Sequence, residues 1–261
     1  MKINCFCGQS THQKLFHAGI YEIVRCTNCL QIRTISPKSA ARTQEYAEAD
    51  IRVYVEKQGM FRGIFRRIIR FIQKYQANGV FVDVGAGIGL LVDTAKQMGF
   101  DAYGVEPSVP SVKAAQKYFH VSLDTNLLSL KRKVQRADVV LLNHVVEHLP
   151  DPKKTLGEVT RMLKSEGCLV IGVPNIASLI GSLKRARWQS LIPDQHRWHF
   201  SLRTLDQLVL PLGFERVGVI CDNHDRSIHP LWKRPIYFIV DIISGMFANG
   251  EAILVSYKKH E

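Results

Sequence analysis

Residues 80–89 read VFVDVGAGIG: four apolar residues around one aspartate, then three glycines within five positions. The apolar run has the make-up of a buried strand. Gly85, Gly87 and Gly89 let the chain turn sharply and let a ligand approach main chain where any side chain would collide. A dinucleotide fingerprint would put its third glycine at position 90, but that residue is Leu90, so the spacing is GxGxG. Asp83 sits in the strand just before the loop, and Glu106 ends the next strand in GVEPS. A carboxylate at that second position can accept both ribose hydroxyls of an adenosine and would repel a 2′-phosphate.

Outward from this loop, apolar strands alternate with helical stretches. VFVDV is followed by LLVDTAKQM, DAYGVE by SVKAAQKYF, ADVVLLNHV by PKKTLGEVTRML, and CLVIGVP by ASLIGSLKRA. Repeated strand-helix units imply a parallel sheet covered on both faces, with ligands beyond the carboxyl ends of its strands. Beyond it, SLRTLDQLVLPLG reads as a helix, and FERVGVIC and EAILVSYKK read as strands. Before the sheet, GMFRGIFRRIIRFIQKYQ sets Phe61, Ile64, Phe65, Ile68, Ile69 and Ile72 on one stripe, with Arg62, Arg66, Arg70 and Lys74 elsewhere. That pattern suits a helix packed on the sheet, or one resting on an anionic membrane. The expected organisation is a cysteine-bearing module at 1–36, a helical lead-in at 37–78, the sheet domain at 79–222 and a carboxyl-terminal extension at 223–261 that supplies a last strand.

The chain has 261 residues and a formal charge of +12, which makes an acidic substrate, lipid headgroup or nucleic acid a plausible partner without choosing among them. No apolar run is long enough to cross a bilayer; the segment 235–248 is interrupted by Asp241 and reads as core, a packing surface or a shallow membrane contact. A cytoplasmic protein is expected, with peripheral membrane contact as an extension of that reading.

The ordered set VDVGAGIG, GVEPS and ADVVLLNHVVEHLPDPKKTLGEVTRMLKSEGCLVIGVPN resembles the class I S-adenosylmethionine-dependent methyltransferases, and within them the branch containing the ubiquinone-pathway O-methyltransferases. The resemblance implies a Rossmann-like, mostly parallel seven-stranded α/β sheet with helices on both faces. It implies that S-adenosylmethionine binds with Asp83 near its methionine part, Gly85, Gly87 and Gly89 lining it, Glu106 on the ribose and Asn143 at the methionine end. Asp124 is a further candidate near the adenine.

A sulfonium methyl is already activated, so the protein must mainly position an acceptor and, for a hydroxyl, take its proton. NHVVEHLPDP leaves a strand at the ligand edge and offers His144, Glu147 and His148, with Asp151 and Pro152 opening the next helix. If residues 144–148 make one helical turn, the three point one way. One reading makes His148 or His144 a general base oriented by Glu147. Another makes the three a divalent-metal site; the resembled relatives carry an acidic residue where this chain has His144, and two nitrogens with one carboxylate suit zinc or iron better than magnesium. A third leaves them as loop-anchoring groups. His196 and His199 in DQHRWHFSL lie, by resemblance, in a cover over the active site and are candidates to touch acceptor, before a helix capped by Ser201.

Four of the six cysteines lie in the first 29 residues, as Cys5 and Cys7 and as Cys26 and Cys29. In a reducing compartment this spacing suggests a zinc-ribbon-like module more than disulfides. The C-x-C pair is one residue shorter than the usual turn, so His12 or His17 could replace Cys5 as fourth ligand; buried metal-free thiols are the alternative. Cys168 and Cys221 read as small core residues. The expected function is methyl transfer to a hydroxyl of a small molecule or saccharide. Nucleic-acid methylation and a non-catalytic cofactor-binding module at a membrane are the alternatives.

Overall fold

A computed structural model describes residues 5–36, 48–222 and 250–260. The amino-terminal residues form three strands, β1 (His12–Ala18), β2 (Tyr21–Cys26) and β3 (Ile32–Ile35), followed by helices α1 (Glu48–Glu56) and α2 (Gln58–Gln73). The alternating region follows: β4 (Gly79–Val84), α3 (Leu90–Gln97), β5 (Phe100–Val105), α4 (Val109–Phe119), α5 (Leu127–Lys133), β6 (Ala137–Asn143), α6 (Pro152–Thr160), β7 (Leu163–Pro174) and α7 (Leu179–Lys184). The short β8 (Trp198–His199), α8 (Leu202–Val209), β9 (Phe214–Asp222) and β10 (Ala252–Lys259) complete the described elements.

Two sheets result. The larger runs β5-β4-β6-β7-β10-β9, with β5, β4, β6 and β7 parallel and β10 antiparallel to both its neighbours. Six strands of this sheet are seen among the described residues where the resemblance implied seven; beside β5, Asp124 makes one parallel bridge to Val105. Beside Asp124, Thr125 and Asn126 open the next helix, and Asn126 caps it, so the edge segment stops before a ladder can form.

Strand alternation divides the core in two. Val82 and Val84 of β4 join Leu156, Leu205 and Leu208 on the face covered by α6 and α8, while Phe81 joins Ile69, Ile72 and Leu91 under α2 and α3. The α2 stripe packs as its spacing predicts, with Ile68, Ile69 and Ile72 buried. Each such side chain contributes about 1.5–3 kcal/mol by leaving water. Arg62, off the apolar stripe, still has partners: its guanidinium lies 2.6 Å from Asp93 of α3 and over the Phe119 ring, which ties α2 to α3 and α4.

The smaller sheet has the order β1-β2-β3-β8. Its fourth strand comes from the far end of the chain: Ile32 pairs with His199 and Arg33 with Trp198. Cys5, Cys26 and Cys29 share one apolar cluster with Val146, Trp198 and Phe200, so the cysteine-bearing segment is packed into the core of the large sheet. Residues 223–249, including the apolar stretch 235–248, lie outside the described residues. No helix among the described residues is long and apolar enough to cross a membrane.

Candidate active site

The chain leaves β4 through a loop in which Gly85 (φ +80°), Gly87 (φ +53°) and Gly89 (φ +74°) all adopt the left-handed region. Two of these positions show why. A side chain at Gly85 would collide with Val145, and at Gly87 the space where a Cβ would point holds, chain neighbours apart, no atom of the described residues within 4 Å. The loop therefore closes on the protein on one side and opens into a pocket on the other. Asp83, Gly85, Gly87 and Asn143 line that pocket with His144. Tyr54 and Ile51 of α1 and Phe65 of α2 close it.

Glu106 sits across the loop, 5 % exposed, and its two oxygens accept the backbone N–H groups of Gly87 (2.9 Å) and Ser108 (2.8 Å). Each oxygen keeps a second lone pair, which a ribose hydroxyl can use. Burial raises the Glu106 pKa against the pull of those two N–H groups. Asp83 is pushed up to about 7, first by burial and then by the charge of Glu106. Two neighbouring buried carboxylates call for a cation, and a sulfonium donor with an α-ammonium supplies one. Asn143 gains its place because β7 has glycine opposite: a Cβ at Gly172 would strike the Asn143 amide. Gly89, Glu106 and Asp124 are not among the pocket-lining residues; the Asp124 carboxylate meets Lys133 Nζ at 2.9 Å, while its backbone holds Glu106.

Beyond Asn143, residues Val146–His148 form one 3-10 turn, and Asp151 caps α6 through Lys154 N–H with Pro152 in its first turn, as the sequence predicts. The three candidates of this turn do not point one way. His144 takes a left-handed conformation (φ +56°) and faces the glycine loop, with Nδ1 3.4 Å from Glu147 Oε1. His148 turns to the other side, where its ring meets that of His196 edge-on with centroids 4.7 Å apart. The cause is geometric: three residues per turn separate neighbours by a third of a rotation, and the positive φ at His144 turns it away.

Glu147 stands between the two sides. It is 1 % exposed, and among the described residues no hydrogen bond reaches either carboxylate oxygen, His144 Nδ1 standing at ion-pair distance. Burial works to raise its pKa, but His144, then His148 and His196, outweigh this and lower it. The ligand atoms of Glu147, His148 and His196 lie within 4.8 Å of one another. His196 Nδ1 meets Ser190 O at 3.0 Å, and burial pushes its pKa down to about 4 against the attraction of Glu147. His199 is next in the row: its ring lies edge-on to that of His196 with centroids 6.3 Å apart, and it is buried, with Nε2 2.8 Å from Thr34 Oγ1 of β3. The helix after it begins at Ser201, with a capping box to Thr204.

The four amino-terminal cysteines come together, all sulfurs within 4.8 Å, with Cys5 to Cys29 at 3.4 Å and Cys7 to Cys26 at 3.6 Å. Zn–S bonds of about 2.3 Å in a tetrahedron give S···S edges of about 3.8 Å, so the cluster fits that ion. Cys5 is therefore placed with the other three despite the short C-x-C spacing, because Gly8 (φ +86°) closes the turn with its N–H on Cys5 O. The alternative ligands His12 and His17 are exposed and outside the cluster. Cys7 is lowered to about 7: burial opposes ionisation, but the Gln9 N–H and the thiols of Cys29 and Cys26 prevail. Burial pushes Cys5 up to about 11.

Residues 57–219, more than half of the chain, match the family of methyltransferase domains. The chain belongs to that family. It is 30 % identical over 128 residues to the ubiquinone biosynthesis O-methyltransferase of Bradyrhizobium sp. (strain ORS 278), a stretch covering 45 % of this chain and 50 % of that one. It is 26 % identical over 146 residues to the enzyme of the same name from Rhodopseudomonas palustris (strain HaA2), covering 52 % and 54 %. The chain thus spans about half the length of the curated relatives it matches. Among solved structures, a SAM-dependent methyltransferase from Archaeoglobus fulgidus superposes with a TM-score of 0.54 at 19 % identity, over 79 % of this chain and 99 % of that one. The plantazolicin methyltransferase BamL, solved with S-adenosylhomocysteine (SAH), gives 0.56 at 14 % identity over 82 % and 91 %. The fold is that of the S-adenosylmethionine-dependent methyltransferases.

The sequence reading makes residues 37–78 a helical lead-in and puts segment 40–60 at the acceptor pocket, but it singles out none of the α1 side chains that form this wall. Ile51, Tyr54 and Val55 fall at helical spacing and pack against the core, a signal present in DIRVYVE but not used. It also missed Gln31 and Thr34, since only the fold brings β3 to His199.

Proposed function

We propose that this methyltransferase transfers the methyl group of S-adenosylmethionine to a hydroxyl oxygen of a small molecule or saccharide, with His144 as general base. The observation that carries this is the position of His144: it lines the same pocket as the glycine loop and Asn143, and its Nδ1 faces the buried carboxylate of Glu147. The acceptor oxygen forms its bond to the methyl carbon as the S–CH3 bond breaks, leaving the thioether SAH. Its proton passes to the imidazole nitrogen of His144 opposite Nδ1, and Glu147 stabilises the imidazolium. Tyr54, Ile51 and Phe65 exclude water and hold the acceptor in line, an effect that can remove about 7–11 kcal/mol of barrier. Relatives named as O-methyltransferases support oxygen as the acceptor atom.

The test supplies methyl-labelled donor and small-molecule fractions of a cell extract. Label should enter an extractable compound, and His144→Gln should slow transfer by roughly a hundredfold or more while SAH affinity changes only slightly. Glu106→Gln should weaken SAH binding clearly. No labelled product in any fraction, or SAH affinity indifferent to Glu106→Gln, would contradict the proposal.

Two metals enter this reading. The cysteine cluster is proposed to hold structural Zn2+ through Cys5, Cys7, Cys26 and Cys29. A second divalent ion at Glu147, His148 and His196 is a further reading, favoured by the two Glu147 oxygens that lack a hydrogen bond among the described residues; it differs from the set expected from the sequence, His144, Glu147 and His148, in having His196 in place of His144. When bound there, the ion would supply Lewis-acid polarisation next to the base. Titration of wild type and His196→Ala with Zn2+ or Mn2+ tests it: a second equivalent bound by wild type and lost in the variant is the expected result.

A further inference from the structure

The cysteine-bearing sheet is wired to the histidine segment. Cys26 N–H donates to Gln31 O (2.9 Å), and the Gln31 amide nitrogen, entirely buried, donates to the backbone oxygens of Ile32 (2.7 Å) and His199 (2.9 Å). On β3, Thr34 N–H donates to Arg197 O (3.0 Å), and its hydroxyl meets His199 Nε2 (2.8 Å). The Phe6 ring lies 5.8 Å from that of Trp198. From the other side, Arg197 N–H donates to Glu147 O (2.8 Å), and the Trp198 indole N–H donates to Leu149 O (2.8 Å). Residues 196–199 are thus held between β3 and the turn that bears Glu147 and His148.

We propose that the four-cysteine module is a positioning device for the active-site histidines. Its metal fixes the Cys26–Cys29 turn, the turn fixes Gln31 and β3, and β3 holds β8 so that His196 stays over Glu147. Thr34 and Gln31 are positioning residues acting through His199, and none of the four cysteines touches acceptor or donor. The inference rests on the active-site and zinc readings above.

Hydrogen exchange and histidine modification by diethyl pyrocarbonate, both read by mass spectrometry, test it on the full chain, with SAH affinity measured in parallel. Stripping the metal with a chelator should speed exchange in 196–200 and raise the reactivity of His199, which belongs to neither proposed ligand set, at least tenfold. SAH affinity should stay within about twofold, and added Zn2+ should restore the original pattern. Thr34→Val keeps the metal ligands, so the protein should retain one equivalent of zinc while His199 becomes reactive and its imidazole 15N resonance moves. Unchanged reactivity in the stripped protein and in Thr34→Val would overturn the proposal. So would failure to bind Zn2+ at all, or loss of SAH affinity in step with the metal, which would mark the module as a support for the whole fold. Weak SAH binding in untreated protein would instead indict the methyltransferase reading.

Discussion

At the scale of residues, Asp83 is expected to couple donor binding to protons under the proposed function. Its folded pKa of about 7 lies above the ordinary carboxylate value of 3.8. In the donor-free protein the folded state therefore holds a proton that the unfolded chain has released, so this group's contribution is fully present below about pH 3.8 and lost as pH rises through about 7. A cationic donor favours the ionised form, so binding at pH 7 should release roughly half a proton. Calorimetry in buffers of different ionisation enthalpy measures this release, and Asp83→Asn should abolish it. Gly85→Ala tests the loop: the new methyl group meets Val145 in a backbone conformation at φ +80°. Loss of about 1–3 kcal/mol in chemical denaturation and weakened SAH binding are expected. These two positions were legible in the sequence because local chain chemistry dictates them. The placing of His144 and His148 about Glu147 was not, since it depends on the sign of one backbone angle at His144.

Among elements, the alternating strands and helices were readable because each must bury a face with its own period, and Asp151 and Ser201 announced their helices by capping chemistry. Ser201→Ala removes one half of a reciprocal cap on α8 and should cost about 1 kcal/mol in denaturant midpoint experiments. No local signal marks Trp198–His199 as a strand, because a two-residue element has no period; only β3, over 160 residues earlier, makes it one. Arg62 is similar: its place off the apolar stripe says nothing of a partner, and only the packing of α3 brings Asp93 within 2.6 Å.

Taken whole, the molecule shares one apolar cluster between the cysteine-bearing segment and the large sheet. Thermal unfolding of the zinc-loaded protein should accordingly show one cooperative transition, and metal removal should shift that single transition downward. Two separate transitions in scanning calorimetry would show that the two parts fold independently.

The pairing of β3 with β8 also sets an order on biosynthesis. Strands β1 to β3 leave the ribosome with the outer edge of β3 bare, and the residues that cover it are not translated until nearly the whole methyltransferase region has been made. An unpaired edge is a template for association with other chains. The nascent protein is therefore most vulnerable to aggregation in that interval, and carboxyl-terminal truncations ending before residue 198 should be more aggregation-prone than truncations of equal length taken from the amino terminus.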